Sequence, residues 1–189
     1  MMRAMRIMVG RVPEIQWLVV GEGPLRASLE ARVEEFGLEG SVQFLGRVDE
    51  KTKWELLRSS HVFALPSRAG ADGRSGEGFG IVYAEAARCG LPVVAGNVGG
   101  TTDAVLDGET GILVDPESPE AVADAVVKIV LRGDLWERMS RSACSWGDRF
   151  SWESVYGQVR SVLLTGRMDR YDLPVGVGML GPAREKRGE

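Results

Sequence analysis

The sequence has little cysteine or histidine. Its two cysteines, Cys89 and Cys144, lie far apart without Cys-X-X-Cys spacing, and its single histidine, His61, has no candidate metal ligands beside it. We therefore predict neither a metal site nor a disulfide framework, and we expect Cys89 to be a buried structural thiol.

Long apolar runs are also missing. Arginines interrupt the apolar residues at the N-terminus, so no signal peptide is predicted. No apolar run approaches the roughly 18 residues of a membrane span, so no span is predicted either.

Positive charge is not in excess either. The 189 residues include 23 Lys and Arg against 27 Asp and Glu, which gives a formal net charge of -4. Because non-specific nucleic-acid binding needs a basic field that neutralises phosphates, we expect no nucleic-acid partner. The hydrophobic share of 44% is typical of one globular domain.

Short apolar runs alternate with amphipathic stretches over most of the chain. The runs predict buried strands at residues 17–20, 42–45, 62–65, 92–95 and 111–114. The stretches predict helices at residues 25–36, 51–59, 81–89, 119–130 and 135–145. Such alternation is typical of a parallel sheet with helices on both faces, so we predict an α/β fold with a Rossmann-like, doubly wound sheet.

Polar residues mark several predicted helix starts. Asp49 and Ser118 are predicted N-caps, with Pro119 at the first helical position after Ser118, and Ser151 opens a last helix.

We predict that the domain spans residues 1–164. Residues 165–189 contain Gly, Pro and charged residues without periodicity, so we expect a loosely ordered C-terminal tail.

The segment that carries chemistry is PSRAGADGRSGEGFG, at residues 66–80. It lies between a predicted strand and a predicted helix, where the open sheet of an α/β protein binds its ligands. A helix start offers free backbone N–H groups and the positive end of a dipole, both of which suit phosphate. The predicted anion-binding amides are those of Gly78, Phe79, Gly80 and Ile81.

Two carboxylates flank this helix start. Glu77 precedes it, and Glu85 lies eight residues later, inside the helix. A carboxylate repels bare phosphate but accepts hydrogen bonds from vicinal hydroxyls, so we predict a nucleotide sugar, with Glu77 at the hexose and Glu85 at the ribose. The alternative is that Glu77 is a solvated loop residue and that Glu85 is a helix-face acid balanced by Arg88.

The motif EGFGIVYAE at residues 77–85 has two glutamates separated by seven residues. Together with GEGP at 21–24, FLGRV at 44–48, EAARCGLPVVAG at 85–96 and GETGILV at 108–114, it resembles the C-terminal domain of family 4 glycosyltransferases of the GT-B fold. The similarity covers about residues 5–164. Within that family, the sequence is most similar to bacterial phosphatidylinositol mannosyltransferases.

The resemblance implies a retaining hexosyltransferase or mannosyltransferase without an essential metal or other cofactor. Its donor is GDP-mannose or a UDP-sugar, its acceptor a lipid or glycan, and Glu77 is its catalytic residue. The other implied donor contacts are Glu85 at the ribose, Leu45, Gly46, Arg47 and Val48 at the base, Gly21 and Gly23 near the diphosphate, and residues 99–103 at the sugar.

The sequence also departs from the family pattern. The basic pair that follows the first strand of the family's domain is absent, as is the N-terminal acceptor domain. We therefore expect the C-terminal half of a GT-B fold without its first strand, truncated and inactive alone, with membrane contact only through the missing half. The expected location is the cytoplasm or the inner membrane face.

A smaller departure lies in the loop expected to face the sugar. Thr102 and Asp103 occupy positions at which the family commonly has Pro and Glu.

Three alternatives stay open at this point. A dinucleotide-binding domain would fit Gly21 and Gly23, but Arg26 occupies the third glycine position of that motif. A non-catalytic module could bind a nucleotide sugar or partner a separate acceptor domain. A sugar-nucleotide epimerase would share the architecture, although the paired acids at 77 and 85 argue against it.

Overall fold

A computed structural model describes residues 1–70 and 77–165 of the chain. The strands are β1 (Trp17–Val20), β2 (Val42–Gly46), β3 (Phe63–Leu65), β4 (Val93–Gly96) and β5 (Gly111–Val114). The helices are α1 (Met2–Arg11), α2 (Arg26–Glu35), α3 (Glu50–Ser59), α4 (Ile81–Arg88), α5 (Thr101–Ala104), α6 (Pro119–Leu131), α7 (Gly133–Gly147) and α8 (Trp152–Thr165), with a 3₁₀ turn at Asp148–Phe150. Each predicted strand and helix is present, with ends shifted by at most two residues.

All strand pairs are parallel, as the α/β prediction requires. β1 pairs with β2, and β3, β4 and β5 pair in that order. Within the described ranges, no ladder of hydrogen bonds joins β1 to β3, so the strands form two sheets rather than one continuous sheet. The two sheets share one hydrophobic core, to which residues of β1, β2, β4 and β5 contribute.

Helices cover both faces of the three-stranded sheet. Along β4, Val94 packs into a core shared with α1, α6 and α7, whereas its neighbours Val93 and Ala95 pack into a second core with α3 and α4. On β3, Phe63 and Ala64 divide between the two cores in the same way. Alternate side chains of a strand point to opposite faces, so this division confirms a doubly wound arrangement.

Local hydrogen bonds explain where several helices begin. The side chain of Asp49 accepts from the backbone N–H of Thr52 at 2.7 Å, and Ser118 accepts from Ala121 at 3.1 Å. Ser151 accepts from the N–H of Ser154 at 3.2 Å. The predicted caps are therefore confirmed, since each supplies an acceptor to an otherwise unpaired N–H group.

The chain divides into two compact units. The first is residues 1–150, and the second begins at Ser151 and contains α8. On α8 the side chains of Trp152, Tyr156 and Leu163 are exposed.

The predicted C-terminal tail lies outside the described residues from residue 166 onward. No helix in the described part of the chain has the length and hydropathy of a membrane span.

Candidate functional site

The start of α4 lies at the carboxyl end of β3, where the sequence predicts anion binding. Gly80 is its N-cap, with a left-handed φ of 75°, a conformation that glycine adopts readily. Gly80 has no side chain that could cap the first turn of α4. Such a helix start presents its first N–H groups and the positive end of its dipole to an anion.

Backbone contacts from the next loop hold Glu77 and Gly78 in place. The N–H of Gly100 donates to the carbonyl of Glu77 at 3.2 Å. A Cβ atom at Gly99 would lie 2.7 Å from that carbonyl oxygen, and one at Gly100 would lie 1.5 Å from the carbonyl oxygen of Gly78. The glycine pair, predicted to face the sugar, thus packs directly behind the predicted sugar-binding segment.

Phe79 and Ile81 differ in what their side chains contact. The ring of Phe79 packs against Phe150 with centroids 5.0 Å apart, and Phe150 packs in turn against Trp146 at 5.3 Å. The Phe79 side chain therefore fixes the loop, and the predicted ligand contact through its backbone N–H stays a prediction. Ile81, the first residue of α4, is 74% exposed and is free to contact a ligand.

Glu85, in the second turn of α4, pairs with a residue that the sequence did not predict. Its Oε1 atom lies 2.7 Å from Nζ of Lys53 on α3, which also lies 2.9 Å from Oε2 of Glu50. The hydrogen bond with Glu85 is the largest cause, with a smaller one from Glu50, of a pKa of Lys53 above its ordinary value. The alternative that Arg88 balances Glu85 is not supported, because Arg88 lies 3.8 Å from Asp148 instead.

The loops after β1 and β2 meet at a second cluster of predicted residues. The N–H of Gly21 donates to the carbonyl of Gly46 at 2.7 Å, and both glycines have positive φ angles, of 119° and 67°. Arg47 extends into solvent and lies 3.7 Å from Glu22. Gly23 accepts from the N–H of Arg26, at the start of α2. The predicted base and diphosphate loops are therefore neighbours.

Helix α3 links these two clusters. Its N-cap, Asp49, directly follows Val48 of the second cluster, and its Lys53 reaches Glu85 of the first. Sequence analysis missed Lys53 because its pairing with Glu85 spans 32 residues, and only the spacing of Glu50 and Lys53 on one helix carried a local signal.

In the described ranges, no group of three or more His, Cys, Asp or Glu residues could hold a metal ion.

Comparison with known proteins identifies the family. The model of glycosyl transferases group 1 matches residues 1–146. The chain belongs to this family. Its parallel α/β architecture is that of GT-B glycosyltransferase structures, and it corresponds to the C-terminal domain of that fold.

Several relatives of this glycosyltransferase domain carry specific names. It is 33% identical over 170 residues to the GDP-mannose-dependent alpha-(1-6)-phosphatidylinositol monomannoside mannosyltransferase of Mycolicibacterium smegmatis, covering 89% of this chain and 44% of the relative. It is 36% identical to the D-inositol 3-phosphate glycosyltransferase of Corynebacterium glutamicum, covering 68% and 29% of the two chains. The structure of Anabaena HepE in complex with UDP-glucose matches with a TM-score of 0.73 and 25% identity, covering 86% and 43%. The chain therefore spans less than half the length of these relatives.

Proposed function

We propose that this chain is the donor-binding half of a retaining mannosyltransferase of glycosyltransferase family 4, and that its donor is GDP-mannose. The observation that carries the proposal is the placement of Glu77 just before Gly80, the N-cap of α4, and of Glu85 in the second turn of that helix. A diphosphate at the helix start would have a carboxylate on each side, one for the hydroxyls of the sugar and one for those of the ribose.

The chemistry proposed for this site is electrostatic. As the bond between sugar and diphosphate breaks, negative charge develops on the leaving diphosphate, and the oriented N–H groups and dipole of α4 stabilise it. Glu77 would hold the hexose hydroxyls and keep the reacting carbon in place. The acceptor, a lipid or a glycan, would be bound by a separate half of the enzyme, and any contact with the inner membrane face would occur through that half.

The preference for a guanine donor is inferred from the surroundings of the predicted base loop, Gly46, Arg47 and Val48. Glu50 follows this loop on the first turn of α3, and its side chain is largely exposed. Guanine presents an amino group and a ring N–H, and a carboxylate can accept hydrogen bonds from both. The mannosyltransferase relative, named as GDP-mannose-dependent, supports this choice. The UDP-glucose in HepE makes a UDP-sugar the competing donor.

Thermal unfolding of the chain with GDP, GDP-mannose, UDP or UDP-glucose tests the donor. A ligand at 100 times its dissociation constant stabilises by about 2.7 kcal/mol, or roughly 5 to 10 °C for a domain of this size. We expect the largest shift with GDP-mannose. A larger shift with UDP-glucose would overturn the choice of donor, and no shift with any nucleotide would overturn donor binding.

Substitution of the paired acids tests the site itself. Glu77→Gln is expected to weaken GDP-mannose binding more than GDP binding, whereas Glu85→Gln should weaken both, because only Glu85 is assigned to the ribose. Glu39→Gln is the matched control, since Glu39 is exposed and lies before the amino end of β2, whereas the site lies at the carboxyl end of β3. Equal loss of both nucleotides in Glu77→Gln would contradict its assignment to the sugar.

Transfer activity distinguishes an enzyme half from a non-catalytic module. We expect the isolated chain to transfer no mannose. Mixing it with a separately produced acceptor half of the Mycolicibacterium smegmatis relative should restore transfer from GDP-mannose to a phosphatidylinositol mannoside. Donor binding without transfer in that mixture would favour a non-catalytic nucleotide-sugar-binding module.

A further inference from the structure

Tyr83 is a fully buried phenol in the first turn of α4. Its ring packs edge-on against Phe63, with centroids 6.0 Å apart, and lies so close to Gly80 that a Cβ atom there would come within 2.4 Å of two ring atoms. A buried hydroxyl needs a hydrogen-bond partner, and that of Tyr83 donates to the carbonyl of Leu65 at 2.8 Å. Tyr83 thus joins the start of α4 to the end of β3.

Ser67 lies between this phenol and Glu77. Its Oγ atom is 3.3 Å from the Tyr83 hydroxyl oxygen and 3.4 Å from Oε2 of Glu77. The carbonyl of Leu65 can only accept, so the Tyr83 proton is committed to it. Ser67 has a single proton and therefore donates either to the Glu77 carboxylate or to the Tyr83 oxygen, but never to both at once.

We propose that Ser67 and Tyr83 are positioning residues for the sugar-binding carboxylate. Before the sugar binds, Ser67 donates to Glu77; when a sugar hydroxyl donates to Glu77, Ser67 turns to Tyr83. This inference rests on the proposed function, because it takes Glu77 as the group that binds the sugar.

The phenol oxygen matters because it gives Ser67 a second acceptor. The Ser67 hydroxyl is half-buried, so leaving it without an acceptor costs a hydrogen bond. Without the Tyr83 oxygen, Ser67 could keep a hydrogen bond only by donating to Glu77, where it would compete with the sugar. Tyr83→Phe keeps the ring and removes this acceptor, together with the hydrogen bond to the carbonyl of Leu65. Ser67→Ala removes the donor itself, so that nothing is left to compete with the sugar for Glu77. Tyr83→Phe should therefore weaken sugar binding only while Ser67 is present, and neither residue is assigned to the diphosphate or the ribose.

The experiment measures dissociation constants of GDP and GDP-mannose by calorimetry and compares their ratio between variants. Tyr83→Phe is expected to reduce the preference for GDP-mannose by about five- to tenfold, which corresponds to about 1 to 1.4 kcal/mol, with GDP affinity nearly unchanged. Adding Ser67→Ala to Tyr83→Phe should restore the preference, because no hydroxyl is then left to compete with the sugar. Ser67→Thr alone should keep the preference, because it keeps the hydroxyl. Tyr156→Phe, on the exposed surface of α8, is the control.

Each outcome has a defined meaning. An unchanged ratio in Tyr83→Phe would overturn the positioning role, and so would a loss that the added Ser67→Ala does not reverse, which a purely structural role of Tyr83 predicts. If the unsubstituted chain binds GDP-mannose no more tightly than GDP, the proposed function fails, and the positioning role fails with it. A preference in the unsubstituted chain that Tyr83→Phe retains overturns this inference alone.

Discussion

Lys53 and Glu85 form an ion pair of 2.7 Å that joins α3 to the second turn of α4. Their side chains are only 25% and 23% exposed, so solvent screens this pair less than the other ion pairs among the described residues. Lys53 also lies over the ring of Trp54, 5.2 Å from its centroid. The predicted ribose carboxylate is therefore held by a cation that belongs to the helix after the predicted base loop.

Lys53→Met is expected to weaken GDP binding by about tenfold, a loss typical of one hydrogen bond to a charged group. Without the ammonium group, Glu85 loses the partner that orients it and lies half-buried without compensation. Calorimetry with GDP measures the change. Lys51→Met is the matched control, because Lys51 is 84% exposed and lies 3.9 Å from Glu55. Equal affinities in the two variants would show that Lys53 does not position Glu85.

Stability at alkaline pH is expected to depend on Tyr83. Burial raises the pKa of Tyr83 above its ordinary value of 10.0. Above pH 10.0 the unfolded chain loses a proton that the native chain keeps, so the free energy of unfolding falls as the pH rises towards the native pKa. Urea unfolding between about pH 9 and 11 should show this fall. In Tyr83→Phe the fall should be shallower, and an identical slope in both proteins would contradict the assignment.

The two cysteines are expected to react with iodoacetamide at different rates. Cys89 is half-buried rather than fully buried as the sequence predicted, and it packs against the core beside Leu57 and Tyr83. This partial burial raises the pKa of its thiol. Cys144 is exposed. Because the thiolate is the reactive form, Cys144 should be alkylated first at pH 8, as peptide mass spectrometry would show. Cys144→Ser should leave only a slow reaction, and a fast one would contradict the structural role predicted for Cys89.

Features encoded by neighbouring residues could be predicted from the sequence. The caps at Asp49 and Ser118 depend on a side chain and an N–H group three residues apart, and the sheet depends on runs of apolar residues. The contacts of the candidate site lie outside such windows. Ser67 reaches Tyr83 across 16 residues, and Lys53 reaches Glu85 across 32. No local pattern distinguishes Lys53 from Lys51 and Arg58, the exposed cations of α3, because its partner depends on how α3 packs against α4.

Gly100 is expected to be essential for the geometry of Glu77 and Gly78. A Cβ atom at this position would lie 1.5 Å from the carbonyl oxygen of Gly78, which is backbone and cannot move without shifting the loop. Gly100→Ala should therefore lower the free energy of unfolding by about 1 to 3 kcal/mol, the usual range for overpacking. Denaturant unfolding measures this loss. GDP-mannose binding should weaken as well, since the displaced segment carries the predicted sugar carboxylate and the first amides of the anion site.

The matched control is Gly40→Ala, where the added Cβ atom would meet nothing within 4 Å. Gly40 lies in the turn before β2, away from the carboxyl ends of the strands, so both stability and binding should stay near those of the unsubstituted chain. If Gly100→Ala loses stability yet keeps its affinity for GDP-mannose, the loop has room to relax without moving Glu77. The close backbone contact would then serve the fold alone, and the glycine pair would have no part in placing the carboxylate.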